Sequence, residues 1–304
     1  MNGIDTEALR RYADLVDDVP AFLEAAARPL PRVVWPNPLK GDPERIASRI
    51  RQRCPHAQQM DWPSGAYLVP AEENPGKWLE FHLGLIHSQE EVTLYPVYAL
   101  DPRPGEAILD MCAAPGNKTV RIGLATGDSA RIVANDLSWQ RLRALRDMND
   151  RLGLTSIGVR RGNGLQIPGE ERFDRVLLDA PCTGEGTSRK SQGWIRHQKE
   201  GDWHKMSTSQ RGLLRRALNL TRPGGLVVYC TCTFAPEENE WVLSGIYESV
   251  ARIEPLQLPP GVRTAPGITS WDGKRFRDDA VNAARFWPHQ NNTGGFFVAL
   301  LRKL

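Results

Sequence analysis

The sequence lacks any apolar run long enough to cross a bilayer, and it lacks a strong excess of charge of one sign. A spanning helix needs about 20 consecutive apolar residues, and none of that kind occurs among the 304 residues. The N-terminal stretch is polar and acidic, unlike a signal segment that is basic and then apolar. With 39 basic and 36 acidic residues, net charge says little about partners. We expect no membrane association and a cytoplasmic location.

Cysteine is also scarce, with five residues and no C-x-x-C pair. An odd number in a chain of this size argues against a disulfide framework and favours catalysis or metal binding. A zinc site would have to combine Cys230 and Cys232 with Cys182 and Cys112, which follow predicted strands instead of forming paired turns. We therefore expect no metal, and catalysis is the better interpretation of the cysteines.

Residues 1–75 are predicted to form an N-terminal unit that is helical up to Pro29 and then a small α/β fold. A strand is predicted at Arg32–Trp35, and Asp42 followed by Pro43 marks the start of a helix. The outward face of that helix carries Arg45, Arg49 and Arg53. Because like charges at this spacing are locally unfavourable, we expect an anionic partner on this face. The alternative is an ordinary solvated helix.

Residues 76–304 are predicted to form a larger domain in which short apolar strands alternate with helices. The predicted strands are Ala107–Leu109, Arg131–Ala134, Ile157–Val159, Val176–Leu178, Leu226–Tyr229 and Phe296–Leu301. The predicted helices are Lys118–Leu124, Trp139–Leu152, Ser209–Leu220 and Glu237–Val250. This alternation predicts an α/β fold with a doubly wound, Rossmann-like parallel sheet. Ligands of such sheets bind beyond the carboxyl ends of the strands.

The first of these strands leads into a segment of small residues, Asp110-Met-Cys-Ala-Ala-Pro-Gly-Asn-Lys-Thr119, that opens a helix. Small residues let a ligand approach the backbone, and free amides at a helix start favour an anion such as a carboxylate. The absence of G-x-G-x-x-G weakens the case for a dinucleotide. Asp136 ends the next strand, where a nucleoside-binding fold needs an acid for the ribose hydroxyls. It can also cap the following helix. Asn163, after the third strand, is either an adenine contact or a turn residue.

Two further segments bring thiols and a carboxylate to the same edge of the sheet. Asp179-Ala-Pro-Cys182 leaves the fourth strand, and Cys230-Thr-Cys232 leaves the fifth. Methylation of carbon 5 of cytosine is a reaction that uses such groups. Carbon 5 becomes nucleophilic when a thiolate adds to carbon 6, and a proton donor at ring nitrogen 3 assists this addition. A base must then remove the carbon-5 proton. Spacing leaves open which cysteine attacks, and whether each is only a small buried residue.

Three motifs carry a resemblance to a known family. Asp-Met-Cys-Ala-Ala-Pro-Gly-Asn-Lys-Thr, Asp-Ala-Pro-Cys-Thr-Gly-Glu-Gly and Thr-Cys-Thr resemble, in this order, motifs of the Sun-domain (RsmB-like) RNA cytosine-5 methyltransferases. Further landmarks of that family are Gln89-Glu90, Arg222–Gly225, Pro236–Asn239 and Arg285–His289. The resemblance extends from about residue 28 to the end of the sequence.

The resemblance implies a methyltransferase whose nucleophile is Cys232, with Cys182 assisting proton removal and product release. It implies that Asp179 contacts the cytosine edge with Lys118 close to it. It also implies S-adenosyl-L-methionine as cofactor and an N-terminal unit that helps to bind RNA. The residues expected to hold the cofactor are Cys112, Ala113, Ala114, Pro115, Gly116, Lys118, Asp136, Arg141, Asn163 and Asp179.

Three positions depart from the family pattern. Asn117 stands where glycine is more frequent, and asparagine tolerates turn geometry. Asn163 replaces an aspartate, so that cofactor binding is expected to be weaker but retained. Cys230 replaces a small hydroxyl residue, and it either packs or pairs with a nearby thiol on oxidation.

Basic residues and tryptophans follow the fourth strand, namely Arg189, Lys190, Trp194, Arg196, Lys199, Trp203 and Lys205. This composition suits phosphate contacts and base stacking, whereas the alternative is a loop anchored to the sheet by its tryptophans. We expect structured RNA as the partner, ribosomal in preference to transfer RNA, and a monomeric enzyme. Two rival functions are an amino-group nucleic-acid methyltransferase, which would need a stacking aromatic at position 182, and a catalytically idle RNA-binding assembly factor.

Overall fold

The computed structural model describes residues 7–190 and 202–304, so that the predicted RNA contacts Trp194, Arg196 and Lys199 lie outside the described residues. The α-helices of the described chain are α1 (Val19–Ala27), α2 (Pro43–Arg53), α3 (Leu79–His82), α4 (Tyr95–Leu100), α5 (Asn117–Ala125), α6 (Trp139–Leu152), α7 (Asp202–Leu220), α8 (Glu240–Leu243) and α9 (Pro288–Asn291). Short 3-10 helices cover Glu7–Leu15, Pro75–Lys77, Glu91–Leu94, Gly164–Gln166, Glu185–Thr187 and Asp278–Asn282.

The strands make two larger sheets and a hairpin. They are β1 (Arg32–Pro36), β2 (Gln58–Gln59), β3 (Tyr67–Val69), β4 (Ile86–Gln89), β5 (Ala107–Asp110), β6 (Arg131–Asp136), β7 (Ile157–Arg161), β8 (Phe173–Asp179), β9 (Thr221–Thr231), β10 (Ala251–Glu254), β11 (Ala265–Pro266), β12 (Ser270–Trp271), β13 (Lys274–Arg275), β14 (Ala284–Phe286) and β15 (Phe296–Lys303). The hairpin pairs β12 with β13.

The small sheet has the order β2-β3-β1-β4 and is antiparallel. Helix α2 packs on it, and its start is capped as predicted, because the Asp42 carboxylate accepts from the Arg45 amide at 2.8 Å. Ile46 and Ile50 of this helix are buried, whereas its arginine side chains at positions 45, 49 and 53 are exposed. Since β4 comes after residue 75, the sheet uses chain from both sides of the domain boundary expected from the sequence.

The large sheet has the order β11-β14-β15-β9-β8-β5-β6-β7, with β10 added to β15. Strands β5 to β9 are parallel, which confirms the predicted Rossmann-like part. The last strand, expected within a parallel sheet, is instead antiparallel to β9. It is also antiparallel to β14, because residues 287–295 join these two strands and are too short a link for the crossover that a parallel pair requires.

Both faces of the large sheet are covered, because neighbouring strand residues point to opposite sides. Leu109 and Leu178 lie on the face packed by α7, in one buried cluster with Leu213 and Leu214. Ile108 and Leu177 lie on the other face, in a cluster that includes residues of α4 and α5. The sheet is therefore doubly wound, and its parallel strands end at one common edge.

The helix predicted over Glu237–Val250 is wrong in extent. Only Glu240–Leu243 is α-helical, while Glu237, Glu238 and Asn239 form turns whose side chains are almost fully buried. These side chains accept hydrogen bonds from other parts of the chain, namely Arg11, Thr183, Gln210 and Thr231. These tertiary contacts outweigh the local helical pattern. Among the described residues, no helix has the length and apolar character needed to cross a membrane.

Candidate active site

The carboxyl ends of β5, β8 and β9 bring the predicted chemistry together. Asp110 pairs with Leu177 of β8, and Asp179 pairs with Cys230 of β9. The loops that leave these strands enclose a cavity of about 220 Å³. Its wall consists of Glu90, Thr93, Asp110, Cys112, Ala113, Pro115, Asn117, Lys118, Asp179, Gly186, Thr187, Lys190, Cys232, Gly295 and Phe296.

Six of the predicted site residues line this cavity: Cys112, Ala113, Pro115, Lys118, Asp179 and Cys232. Ala114, Gly116, Asp136, Arg141, Asn163 and Cys182 are not part of its wall. Sequence reasoning gave no site role to Glu90, Thr93, Asp110, Asn117, Gly186, Thr187, Gly295 or Phe296. The signal was available for several of them, since Asp110, Asn117 and Gly186 lie inside the recognised motifs, whereas Thr93 and Phe296 carry no local signature.

The two cysteine thiols are direct neighbours. Cys182 Sγ and Cys232 Sγ lie 3.3 Å apart, well beyond the length of a disulfide, about 2.05 Å. The hydrogen bond with Cys232, together with burial, raises the pKa of Cys182 well above its usual range. Cys182 therefore holds its proton at neutral pH next to a thiol that opens onto the cavity.

A buried carboxylate fixes the loop that carries Cys182. Glu238 accepts from the Thr183 amide at 3.1 Å, from the Thr183 hydroxyl and from Gln210 Nε2 at 2.7 Å. Gln210 Nε2 also donates to the carbonyl oxygen of Pro181 at 2.8 Å. Both residues that flank Cys182 are thus bonded to α7 and to the turn after β9, which restricts the thiol to one position.

The loop that carries Cys232 is held in a similar way. Thr231 Oγ1 donates to Asn239 Oδ1 at 2.6 Å, and Asn239 Nδ2 donates to the Thr233 carbonyl oxygen at 3.1 Å. The amide of Gly186 donates to the Cys232 carbonyl oxygen at 2.9 Å. Turn residues after β9, not a helix, therefore position the predicted nucleophile.

An ion pair forms part of the cavity wall between the cysteines and the helix start. Lys118 Nζ donates to Asp179 Oδ2 at 2.6 Å, and the Lys118 side chain is only 10% exposed. Burial opposes the charged form of this lysine, but the neighbouring Asp179 carboxylate outweighs it and raises the pKa of Lys118. On the other oxygen of Asp179, Cys230 Sγ approaches to 3.5 Å. Cys230 is fully buried, and burial with the adjacent carboxylate raises its pKa.

Asp110 is a second carboxyl in the wall, and it is almost fully buried. Thr119 Oγ1 donates to Asp110 Oδ2 at 2.6 Å, whereas Asp110 Oδ1 is buried without a hydrogen-bond partner among the described residues. Burial raises the pKa of Asp110 to about 7. A carboxyl group of this kind gains a partner when a cationic or hydrogen-bonding ligand enters the cavity.

The predicted cofactor loop is braced from outside the cavity. Asp136 accepts from the Ala114 amide at 3.2 Å and from the Ser138 amide at 2.9 Å. Arg141 donates to the Ala114 carbonyl oxygen and lies 3.6 Å from Asp136. Gly116 has φ +117°, and a Cβ there would lie 2.9 Å from Leu145 Cγ, so that the turn requires glycine.

Asn163 and the basic segment also have clear structural partners. Asn163 Oδ1 accepts from the Leu165 amide at 3.0 Å and caps a short 3-10 helix. Arg189, expected to contact phosphate, is instead buried and donates to the carbonyl oxygens of Arg28, Pro29 and Thr293. The phosphate prediction is therefore wrong for Arg189, because its guanidinium ties two segments of the protein together.

Trp203 has the anchoring role that was the alternative to RNA contact. Its indole nitrogen donates to Glu185 Oε1 at 3.0 Å, and the Arg11 guanidinium lies 4.0 Å from its ring centroid. Glu185 also accepts from the Tyr12 hydroxyl at 2.6 Å and from Thr233 Oγ1 at 3.0 Å. The N-terminal 3-10 helix and α7 thus meet on the loop after β8. Among the described residues, no group of three His, Cys, Asp or Glu side chains is arranged to hold a metal ion.

Comparison with known proteins agrees with this geometry. The family described as 16S rRNA methyltransferase RsmB/F matches residues 97–302. A tRNA (cytosine(49)-C(5))-methyltransferase of Pyrococcus abyssi is 33% identical over 99% of this chain and 96% of its own length. A 28S rRNA (cytosine-C(5))-methyltransferase of Mus musculus is 34% identical over 93% of this chain, which spans only 36% of the mouse protein. A crystal structure of a methyltransferase homologue from Pyrococcus horikoshii, 33% identical, superposes with a TM-score of 0.79 over 93% of this chain and 90% of that one.

Proposed function

The chain belongs to the RsmB/F family of methyltransferases, and from this premise we propose that it methylates carbon 5 of cytosine in structured RNA. The observation that carries the proposal is the pair of thiols, 3.3 Å apart, at the ends of two adjacent strands. Cys232 opens onto a cavity whose wall also holds the Lys118–Asp179 ion pair. The site thus offers a nucleophile, a second thiol that can take part in proton transfer, and a fixed carboxylate that can bind the base.

We propose S-adenosyl-L-methionine as the methyl donor, which supplies an electrophilic methyl group when bound. The residues around the cavity fit this molecule. Backbone amides at the start of α5 suit its carboxylate, and the unpartnered buried oxygen of Asp110 suits its positively charged part. Asp136, at the end of β6, is 5% exposed and is the acid proposed for the ribose. Asn163 is proposed for the adenine, and Arg141 braces the cofactor loop through the Ala114 carbonyl oxygen.

In the proposed reaction Cys232 adds as a thiolate to carbon 6 of the cytosine, and carbon 5 then forms its bond to the methyl group. Asp179 binds the edge of the base, and Lys118 keeps that carboxylate in place. Cys182 assists loss of the carbon-5 proton as a thiolate, after the proton that it holds at rest has passed to solvent, and the bond between Cys232 and carbon 6 then breaks. Because the methyl group would leave the sulfur of its donor, the products are 5-methylcytosine, S-adenosyl-L-homocysteine, a free thiol and one released proton.

The N-terminal unit is proposed to bind the RNA around the target base. The exposed arginines at 45, 49 and 53 form one basic stripe on α2, and of these Arg49 pairs with Glu80 at 3.8 Å. Such a stripe suits the phosphate backbone. A base that reacts with a cysteine inside a cavity must be turned out of its stack, so that the RNA must also contact the protein at the cavity entrance.

The test is methylation of RNA by the purified chain and by two variants, Cys232→Ala and Cys182→Ala. Ribosomal and transfer RNA are supplied separately with labelled S-adenosylmethionine, and the products are digested to nucleosides. We expect label in 5-methylcytidine, its loss in Cys232→Ala, and a protein–RNA adduct that accumulates in Cys182→Ala on denaturing gels. Label in the ribosomal pool would support the preference stated from the sequence, and label in the transfer pool would reverse it.

Three results would contradict the proposal. An adduct in Cys232→Ala with none in Cys182→Ala would exchange the roles of the two thiols. Label in a methylated amino group would point to an amino-group methyltransferase. Cofactor binding without label in either pool would point to an idle RNA-binding factor.

A further inference from the structure

Asn117, the first residue of α5, has no role in the family pattern that identified the site. Asn117 lines the cavity, and its Oδ1 lies 3.0 Å from His87 Nε2. His87 belongs to β4 of the small sheet, so that this hydrogen bond joins the small sheet to the cofactor loop. The protonation of the His87 ring decides whether the oxygen or the nitrogen of the Asn117 amide faces His87.

The neighbours of His87 determine the orientation. Arg151 Nη2 lies 3.0 Å from His87 Nδ1, and a guanidinium can only donate. His87 Nδ1 must therefore accept, which leaves the proton of the neutral ring on Nε2. Burial and the nearby Arg151 charge lower the pKa of His87 to about 4, so that the ring stays neutral at physiological pH. Since His87 Nε2 donates, the Asn117 atom that faces it is the carbonyl oxygen.

The amide nitrogen of Asn117 is consequently the free end. It has no hydrogen-bond partner among the described residues, while the two lysines in the cavity wall are engaged: Lys118 with Asp179 and Lys190 with Glu90. A carboxylate that binds at the start of α5 therefore meets backbone amides and this one uncommitted side-chain donor. The backbone amides and the Asn117 side chain all belong to the first turn of α5.

We infer that Asn117 Nδ2 donates a hydrogen bond to the carboxylate of the bound cofactor, and that Arg151 and His87 hold the amide in the orientation this requires. The inference rests on the proposed function and deepens it by assigning a cofactor-binding residue. His87 and Arg151 are positioning residues, since they act through Asn117. The small sheet thereby takes part in cofactor binding through His87.

The test compares two ligands that differ in the carboxylate. S-adenosylhomocysteine carries it, and 5′-methylthioadenosine lacks the whole amino-acid end. Titration calorimetry on the full chain gives the affinity of both ligands for the wild type, Asn117→Ala and Asn117→Asp. Because a hydrogen bond to a charged group is stronger than one between neutral groups, we expect Asn117→Ala to weaken the binding of S-adenosylhomocysteine about tenfold. The affinity for methylthioadenosine should change by less than about twofold.

Asn117→Asp keeps an acceptor for His87 and replaces the donor by a negative charge. It should weaken the binding of S-adenosylhomocysteine more than the alanine variant does, and it should again leave the affinity for methylthioadenosine nearly unchanged. His87→Leu removes the residue that positions Asn117. We expect it to lower the affinity for S-adenosylhomocysteine by less than Asn117→Ala does, and to leave the affinity for methylthioadenosine unchanged. Asn163→Ala is the matched control, because an asparagine proposed for the adenine should weaken both ligands alike.

If Asn117→Ala changes the affinities for the two ligands equally, or changes neither affinity, the inference is overturned and the proposed function is left intact. A wild-type protein that binds neither ligand would overturn both. If Asn117→Ala alters the unfolding transition, Asn117→Asp against the wild type decides, since a folding defect does not distinguish the two ligands.

Discussion

Lys118 Nζ and Asp179 Oδ2 lie 2.6 Å apart in the wall of the cavity that Cys232 lines. The lysine comes from the start of α5 and the aspartate from the end of β8, so that this ion pair joins the cofactor loop to the loop that leads to Cys182. Its Lys118 side chain is nearly buried, whereas about a third of the Asp179 side chain, 32%, is exposed. The exposed part is the part available to a substrate.

Removing one partner of this pair should cost both activity and stability. Lys118→Met leaves the Asp179 charge without its counterion, and we expect a loss of about 2 kcal/mol in the free energy of unfolding, less than for a fully buried pair. Methyl transfer should fall below detection. The exposed pair Arg103–Asp101 is the control: Arg103→Met should change stability by less than about 0.5 kcal/mol. An equal effect of the two substitutions in urea denaturation would refute the structural role of Lys118.

Asp110 should make stability depend on pH. Its pKa is raised from 3.8 to about 7 in the folded protein, so that between these values the folded state binds more protons than the unfolded state. Its contribution is therefore fully present below pH 4 and is lost as the pH rises through 7. The shift corresponds to at most about 4 kcal/mol.

The measurement for Asp110 is the free energy of unfolding between pH 5 and 8. The wild type should lose stability relative to Asp110→Asn as the pH rises, because the asparagine still accepts from Thr119 and does not titrate. Parallel curves for the two proteins would show that Asp110 keeps its ordinary ionisation when folded.

Gly186 should not tolerate a side chain. A Cβ at this position would lie 2.1 Å from the Gly295 carbonyl oxygen, which is backbone and cannot move aside cheaply. Gly186 also bonds to Cys232 and to Gly295 through its backbone. We expect Gly186→Ala to destabilise the protein by about 2 kcal/mol or more and to reduce methyl transfer by displacing Cys232. Gly158→Ala is the control, because its nearest neighbour is an ordinary 3.7 Å away; thermal melts of the two variants should differ clearly.

The basic stripe on α2 should contribute to RNA affinity through charge. Changing Arg45, Arg49 and Arg53 together to Gln should weaken RNA binding and reduce the slope of log affinity against log salt by about 2. The matched control changes three exposed arginines at the opposite end of the parallel strands, Arg131, Arg172 and Arg222. Filter binding at several salt concentrations measures both slopes. Equal slopes for the two triple variants would place the RNA elsewhere.

Several parts of the fold follow from local pattern alone. The helix Trp139–Leu152 was predicted with the same bounds that the structure gives, because its apolar spacing and the Ser138 cap are both local signals. The parallel strands were predicted from short apolar runs between helices, and the structure extends each of them by one or more residues. The antiparallel β10 and β14 were not anticipated, since strands of three or four residues with mixed polarity carry no distinctive period.

The candidate site also has residues that the sequence predicted and residues that only the folded chain shows. The motifs placed Cys112, Lys118, Asp179 and Cys232 at one edge, because residues that follow parallel strands must meet there. Sequence reasoning did not assign Glu90 to the cavity. Its carboxylate accepts from the Gly294 amide at 2.7 Å, a contact across 204 positions that no local pattern contains. Arg189 was misjudged for the same reason, since only the folded chain shows that its partners are backbone carbonyl oxygens.

The sequence by itself determined the alternation of strands and helices, the order of the motifs and the residue types available for chemistry. These depend on periodicity, caps and spacing, which act over a few neighbouring residues. Tertiary structure alone decided that Cys182 lies against Cys232, that the Asn117 oxygen faces His87, and which charges are buried or exposed. Such relationships depend on packing between distant segments, and the free energy of a buried polar group is set by the partners it meets there.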